Sequence, residues 1–486
     1  MKQYFKYFLA IGLAAIAMAS CKKEDPPVPP VYTLSAAENF ADGKAVVTVT
    51  ADKAWSEDVS IALSLDATST LTAEELTVPE AIVIEKGQTE ASAEVLLSAA
   101  PEAAASYAAV IVGTLDEVEL GKVTINYVVE PVYGPVLERV WGFYKEGDTP
   151  WYATSNITGV SIANPDGYGM ARSLAMDDEY VYLPKASAYA NVVAVSLADK
   201  TSQKALNKSG ISGGSTFATS FVRMIKNTDS SVNSGKDVLL LCNLTNTDSD
   251  ANQLRLYAYK NGVDAAPTQI AGFCYDSANT VNDWRRYGDR FFVTGNWADG
   301  MVYFPSFNAN KIVALKIANG SRTAVVQMAA GAANSPDGIK DLTVYPGDTK
   351  LFLTNGSIAN LVAPTGGTAN GWNEYSLSAS SDKGKNTWGY NFFELGGKKY
   401  IAYARIIGET KAQMEIVEDK GDLVSSLNGA VLFASPIHDA TDLTKEVATG
   451  NLADCCARVI GDVVYIASLT RDGGFVLDKL SIQQLN

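Results

Sequence analysis

Between residues 32 and 130 apolar and polar residues alternate in short runs. The runs are Ala45–Thr50, Val59–Leu63, Ala81–Ile84, Ala93–Leu97 and Val123–Tyr127, each set off by turn-forming residues. A period of two is that of a strand with one buried face. About a hundred residues patterned this way predict a β-sandwich.

From residue 135 onward the pattern becomes a repeat. A short apolar strand leads through a Gly/Asp turn into a second apolar or aromatic strand, then a polar loop and a third strand. Second strands are expected at Tyr180–Leu183, Val238–Leu241, Phe291–Val293, Lys350–Leu353, Tyr400–Tyr403 and Val463–Ile466. Third strands are expected at Val192–Val195, Leu254–Tyr257 and Lys311–Leu315. A spacing of roughly 50 to 65 residues suits a four-stranded propeller blade with long loops. No useful helical stripe interrupts it, which argues against an α/β fold. Val136–Phe143 precedes the first clear repeat. It either supplies the outer strand of the last blade, giving six blades, or begins a blade over 136–170, giving seven; six is the preferred reading. The expected fold class is all-β, a sandwich over 32–130 followed by a propeller over 135–486.

The amino terminus is patterned as an address. Lys2 and Lys6 form a charged start and Phe8–Ala19 a short apolar run, too short to span a bilayer. Met18-Ala19-Ser20-Cys21 resembles the lipobox of bacterial lipoproteins, which implies removal of residues 1–20 and diacylation of Cys21. Residues 21–31 hold the charged run Lys22–Asp25 and Pro26-Pro27-Val28-Pro29-Pro30, a stiff extended tether. A charged stretch before a Pro-rich tether is similar to surface lipoproteins of Bacteroidetes. The resemblance implies an outer-membrane protein exposed at the cell surface and held by lipid.

Charge narrows the partners. The 486 residues carry 39 Lys and Arg against 54 Asp and Glu, a net −15, so nucleic acid is not an expected partner. Residues 32–130 hold 17 acidic and 4 basic residues, and residues 131–486 hold 35 and 31. The first domain therefore carries most of the net charge. Either it holds the second domain off an anionic membrane by repulsion, or its composition is ordinary acidic composition. The chain has one histidine, His438, in a loop expected to be exposed, and no cysteine spacing of a zinc or redox site. No metal and no cofactor are expected. Cys242, Cys274, Cys455 and Cys456 are read as buried thiols or separate bridges in preference to a vicinal bond between the last two.

In a propeller the inner strand of each blade starts at the face that usually receives ligands. Reading those positions selects Arg172, Arg223, Trp284, Arg285, Arg286, Lys340, Trp388 and Arg458, and the loops add Trp297 and Arg471. Two readings of the arginines stay open. A ring of guanidiniums would receive a carboxylate or sulfate bidentately, or each would pair with a neighbouring Asp and lock blades together. Trp284, Trp297 and Trp388 would offer faces for sugar rings or pack between blades. Trp297, inside the polar turn Asn296–Gly300, is the favoured platform. A glycosidase would need two carboxylates, for which Asp283, Asp299, Asp337, Glu374 and Asp454 are equally plausible.

Pro79–Val95 resembles Calx-β-like and other Ig-like modules, and Ser380–Trp388 resembles the Asp-box of sialidases and related propellers, where it is a structural turn. No Arg-Ile-Pro signature accompanies it, so sialidase activity is not implied. Taken whole, the chain resembles Bacteroidetes surface lipoproteins in which an Ig-like spacer carries a β-propeller. The resemblance implies a glycan ligand and an outer-membrane transporter as partner. The reading is a surface lipoprotein that binds an extracellular carbohydrate or related polymer without catalysis. The alternatives are a propeller glycoside hydrolase or polysaccharide lyase, and a protein-interaction scaffold or adhesin. Expressed in a host that processes lipoproteins, Cys21→Ser is expected to lose incorporated fatty-acid label and to leave the membrane fraction. Retention of both would refute lipidation.

Overall fold

The computed structural model describes residues 28–144, 170–186, 192–212, 217–245, 253–273, 286–307, 309–331, 338–407, 411–438, 453–471 and 473–486. The amino-terminal segment with Cys21 lies outside them, as do Trp284, Arg285 and Cys274. The chain is nearly all β and divides into two compact units. One comprises residues up to Val132 together with Gln484–Asn486; the other is Tyr133–Gln483. Among the described residues no helix is long and apolar enough to cross a membrane.

The first unit holds two four-stranded sheets. One orders Tyr32–Ala36, Lys44–Ala51, Glu90–Leu97 and Leu76–Thr77; the other orders Ala81–Ile84, Val59–Leu65, Ser106–Leu115 and Val118–Val128. Lys44–Ala51 buries alternate residues, as its period-two sequence demands. Val47, Val49 and Val95 from one sheet meet Ile61, Ile82, Ile111 and Ile125 from the other in a single core. The two sheets thus face each other across their apolar sides.

The second unit is a series of antiparallel meanders. The first sheet is built on Ala175–Met176, Tyr180–Ala186, Val192–Ser196 and Gln203–Ala205, with Met170–Ala171 also paired to its second strand. The second holds Phe217–Ile225, Val238–Leu244, Leu254–Ala258 and Thr268–Phe273; the third holds Phe292–Gly295, Gly300–Pro305, Lys311–Ala318 and Ser321–Ala329. The fourth holds Asp341–Thr343, Leu351–Thr354, Ala359–Ala369 and Trp372–Ser380, and its last strand pairs with Ser321–Ala329 so that third and fourth run on as one eight-stranded sheet; the fifth holds Thr387–Leu395, Lys398–Ile407, Lys411–Glu418 and Val431–Pro436. The sixth holds Ala453–Ile460, Val463–Thr470 and Gly474–Gln484, and Tyr133–Tyr144 joins it as the outermost strand.

Six apolar clusters lie between these sheets. Tyr182 and Val192 of the first pack on Val222 and Leu241 of the second, and Phe221 and Leu256 of the second pack on Phe304 and Leu315 of the third. The series continues through Ile312 with Leu353, Phe352 with Tyr403, and Met414 with Val464. It ends where Leu469 and Leu477 of the sixth sheet meet Leu174 and Val181 of the first. The sheets therefore close on one another in a propeller-like ring. This explains Val238–Leu244, which is buried at every position. A strand covered on both faces has no polar side to display.

One strand assignment is corrected. Phe291–Val293 was expected as a second strand, but Phe292–Gly295 is the first strand of its sheet and Gly300–Pro305 the second. Gly288-Asp289 resembles a turn, yet the Asp289 carboxylate is held by Arg172 and Arg286. The true turn is Asn296–Asp299, where Asn296 Oδ1 accepts the amides of Ala298 and Asp299.

The long hairpin Ala359–Ser380 leaves the fourth sheet and pairs in parallel with Met328-Ala329 of the third. Its Trp372, 1% exposed, inserts into the cluster between the second and third sheets, with Lys311 Nζ 4.4 Å above its ring. Trp372→Ala should lower unfolding free energy by about 3–5 kcal/mol, measured by urea denaturation. Leu377→Ser on the exposed side of the same hairpin should change it by under about 0.5 kcal/mol.

Candidate functional site

The innermost strands of all six sheets converge on two buried carboxylates. Asp454, fully buried in the sixth sheet, accepts the Leu174 amide of the first sheet at 2.7 Å. It also takes a two-pronged bond from Arg223 of the second, with both contacts at 2.7 Å. Arg290, leading into the third sheet, places Nη1 3.6 Å from Asp454 Oδ1 and 3.8 Å from Asp341 Oδ2. Its Nη2 donates to the Ala453 carbonyl. Asp341 in the fourth sheet accepts the Gly389 amide of the fifth at 2.7 Å. Gly389 has φ +67°, and a Cβ there would strike the Cys455 backbone and the Asp454 carboxylate.

Burial governs the electrostatics of this hub. It raises the Asp341 pKa above the ordinary carboxylate range, against the pull of Arg290 and with the push of Asp454. For Arg223 burial works to lower the pKa, and the Asp454 charge outweighs it, so the net shift is upward.

A second network adjoins the first through Asp289, next to Arg290 in the chain. Asp289 accepts Arg172 Nη1 at 2.6 Å and Arg286 Nε and Nη2 at 2.6 and 2.5 Å. The Arg286 guanidinium lies 4.9 Å from the Phe307 ring centroid, and Lys340 Nζ lies 3.4 Å from it. Lys340 Nζ also donates to the Phe307 carbonyl at 2.9 Å. The Arg172 pKa is lowered, first by burial and also by Arg286 and Arg471, with Asp289 opposing.

The expected residues are placed as follows. Arg172, Arg223 and Lys340 fall in or beside these networks. Arg172 and Arg223 pair with Asp, the interlocking reading of the two left open. Arg458 was expected to begin an inner strand, but it lies toward the far end of Ala453–Ile460. There it holds Asp178 at 2.7 Å and Asp237, beside a cleft of about 210 Å³ that Glu179 and Lys236 also line. Trp297 is corrected as a sugar platform: it is 4% exposed, inside the core between the second and third sheets. Its amide donates to the Lys226 carbonyl at 2.8 Å, and Gly320 lies so close that a Cβ there would strike the indole. The polar turn supplies only the backbone, and the ring folds back under it. Trp388 is corrected likewise, being fully buried between the fifth and sixth sheets. Trp284 and Arg285 lie outside the described residues.

The remaining motifs are structural. In the Asp-box-like segment Ser381 caps the turn Asp382–Gly384, and Thr387 Oγ1 bonds the Gly384 carbonyl and the Tyr390 hydroxyl. His438 is buried rather than exposed, with Nδ1 3.0 Å from the Ala412 carbonyl. Cys242, Cys455 and Cys456 are free thiols whose pKa values burial raises, which leaves them poor nucleophiles. Among the described residues no cluster of His, Cys, Asp and Glu could hold a metal ion. Of the carboxylates considered for hydrolysis, Asp283 and Asp337 lie outside the described residues. Asp299 is an exposed turn residue, Glu374 lines a cleft of about 520 Å³ along the hairpin, and Asp454 is sealed in the hub.

Sequence reasoning missed Asp289, Arg290 and Asp341 as a set. Their signal was present: Asp289, Asp341 and Asp454 all lie at or just before the first strand of a repeat.

No protein-family model matches the chain, and no curated protein matches it. Among solved structures it is similar to the α-L-arabinofuranosidase Arb93A of Fusarium graminearum in complex with an iminosugar inhibitor. That likeness has 10% identity and a TM-score of 0.40, over 72% of this chain and 99% of that one. It is also similar to AofleA of Arthrobotrys oligospora, at 9% identity and a TM-score of 0.37, over 73% and 90%. An α-L-arabinofuranosidase of Lactobacillus brevis is similar at 11% identity and a TM-score of 0.31, over 65% and 92%. At these values the likenesses are loose.

Asp454→Ala is expected to cost about 3–5 kcal/mol, because it strands the Arg223 and Arg290 charges in a buried site. Chemical denaturation of this variant beside Asp299→Ala, expected within about 0.5 kcal/mol of the parent, measures it.

Proposed function

We propose that the protein is a lipid-anchored protein of the outer-membrane surface that binds an extracellular carbohydrate or related polymer without catalysis. In this reading an Ig-like sandwich lifts a six-bladed β-propeller from the membrane, and the propeller carries the ligand site at one end of its hub. The amino-terminal lipobox-like segment and Pro-rich tether support the location. The closed series of inter-sheet clusters supports the propeller, and Tyr133–Tyr144 as outer strand of the last sheet supports six blades over seven.

The observation that favours binding over hydrolysis is the state of the paired hub carboxylates. Asp341 and Asp454 flank one guanidinium, that of Arg290, within 4 Å of each. Both are sealed from solvent and committed to amides and arginines. A catalytic carboxyl must reach its substrate.

Electrophoresis of the full chain in detergent through native gels cast with a polysaccharide panel tests this reading, with product analysis of the same mixtures. Retardation by at least one polymer without new reducing ends is expected. Release of oligosaccharides would establish the hydrolase or lyase alternative. Indifference to every polymer, with capture of a protein partner, would establish the scaffold.

A further inference from the structure

Two prolines bracket the point where the chain enters the closing strand. Pro131 and Pro135 have no amide hydrogen, and Tyr133–Tyr144 is the outermost strand of its sheet, paired along one edge. Burial does not hold the entry either: Val132 is 55% exposed, Tyr133 62% and Leu485 58%. What holds it is a small set of bonds to the residues that follow Gly474–Gln484. The Leu485 amide donates to the Val132 carbonyl at 2.8 Å. The Val132 amide donates to Asn486 Oδ1 at 2.7 Å, and Asn486 Nδ2 donates to the Glu130 carbonyl at 3.1 Å. One side-chain amide thus spans Pro131 and binds the backbone on both sides of it.

Further along the strand the grip changes in kind. Glu138 accepts Gln483 Nε2 at 2.9 Å and pairs with Lys479 at 3.1 Å. Arg139 donates to Asp478 of the sixth sheet, and to Ser435 and the Pro436 carbonyl of the fifth. Trp141 is buried; its Nε1 donates to the Leu197 carbonyl at 3.2 Å and its ring centroid lies 5.0 Å from that of Phe475. Lys200 Nζ donates to the Gly142 carbonyl at 3.0 Å. Leu197 and Lys200 follow Val192–Ser196 of the first sheet. From Glu138 onward, three sheets therefore hold the strand through its side chains and backbone, whereas Tyr133–Val136 precede all of these anchors. A strand firm at one end and lightly held at the other opens from the light end, at less cost than global unfolding. The chain passes directly from Val132 of the first unit to Tyr133, so tension on its amino-terminal side is delivered at this point.

We propose that Leu485 and Asn486 form a latch on the closing strand. While the latch is shut, Tyr133–Val136 stays in the sheet. Its release lets those residues peel away as far as Glu138 and Arg139, with the ring still closed.

Hydrogen–deuterium exchange of the full chain, read peptide by peptide by mass spectrometry, tests the latch. Asn486→Ala removes both side-chain bonds, and Leu485→Pro removes the amide given to Val132. Each should speed exchange over Tyr133–Val136 roughly tenfold, with exchange over Val140–Tyr144 and the thermal midpoint unchanged. The remote, exposed Arg322→Gln should match the parent throughout. Unchanged exchange over Tyr133–Val136 in both variants would overturn the latch. Equal acceleration over Val140–Tyr144, or a lowered thermal midpoint, would overturn local release and make these bonds ordinary stabilising contacts.

Discussion

The sheets of the second unit are held in register at the centre by a buried set of ion pairs. Asp454 alone touches the first, second and third sheets from the sixth, through the Leu174 amide, Arg223 and Arg290. Asp341 ties the fourth sheet to the fifth through the Gly389 amide and to the third through Arg290. Apolar clusters between sheets supply most of the burial, but they are non-directional and would tolerate sliding. Charged hydrogen bonds have fixed geometry, and a misplaced guanidinium in a dry hub is costly. The hub therefore selects one arrangement among many that would bury similar apolar area.

The same economy explains the closing strand. Tyr133–Tyr144 comes from the beginning of the ring sequence and completes the sheet made by its end. Arg139 fastens it, donating to Asp478 at 2.6 Å, to Ser435 and to the Pro436 carbonyl of the fifth sheet. A strand from the start of the ring thus caps the outer edge of the sheet made by its end.

Asp289 and Arg290 are neighbours in the chain, one serving the outer network and one the inner. The inner network is charge-matched and dry. The outer one joins Arg172 and Arg286 through Asp289 and keeps Arg286 in contact with solvent.

Much of the architecture was legible in the linear order of residues. Alternation over Lys44–Ala51 and the spaced runs at Tyr180, Val238, Tyr400 and Val463 marked real strands, because period and apolar content are local properties. The role of each aromatic and each charge was not local. Trp297 sits in a polar turn and reads as exposed, yet its ring lies beneath Gly320, about twenty residues away in sequence. Arg458 reads as a partner of the other arginines and stands instead at the opposite end, because one residue of strand advances about 3.3 Å and the side alternates. By itself the order of residues determined an all-β chain with repeated strands. Only the folded ring decided which arginine meets which aspartate, because those pairs join strands up to 339 residues apart and no local pattern encodes a contact between sheets.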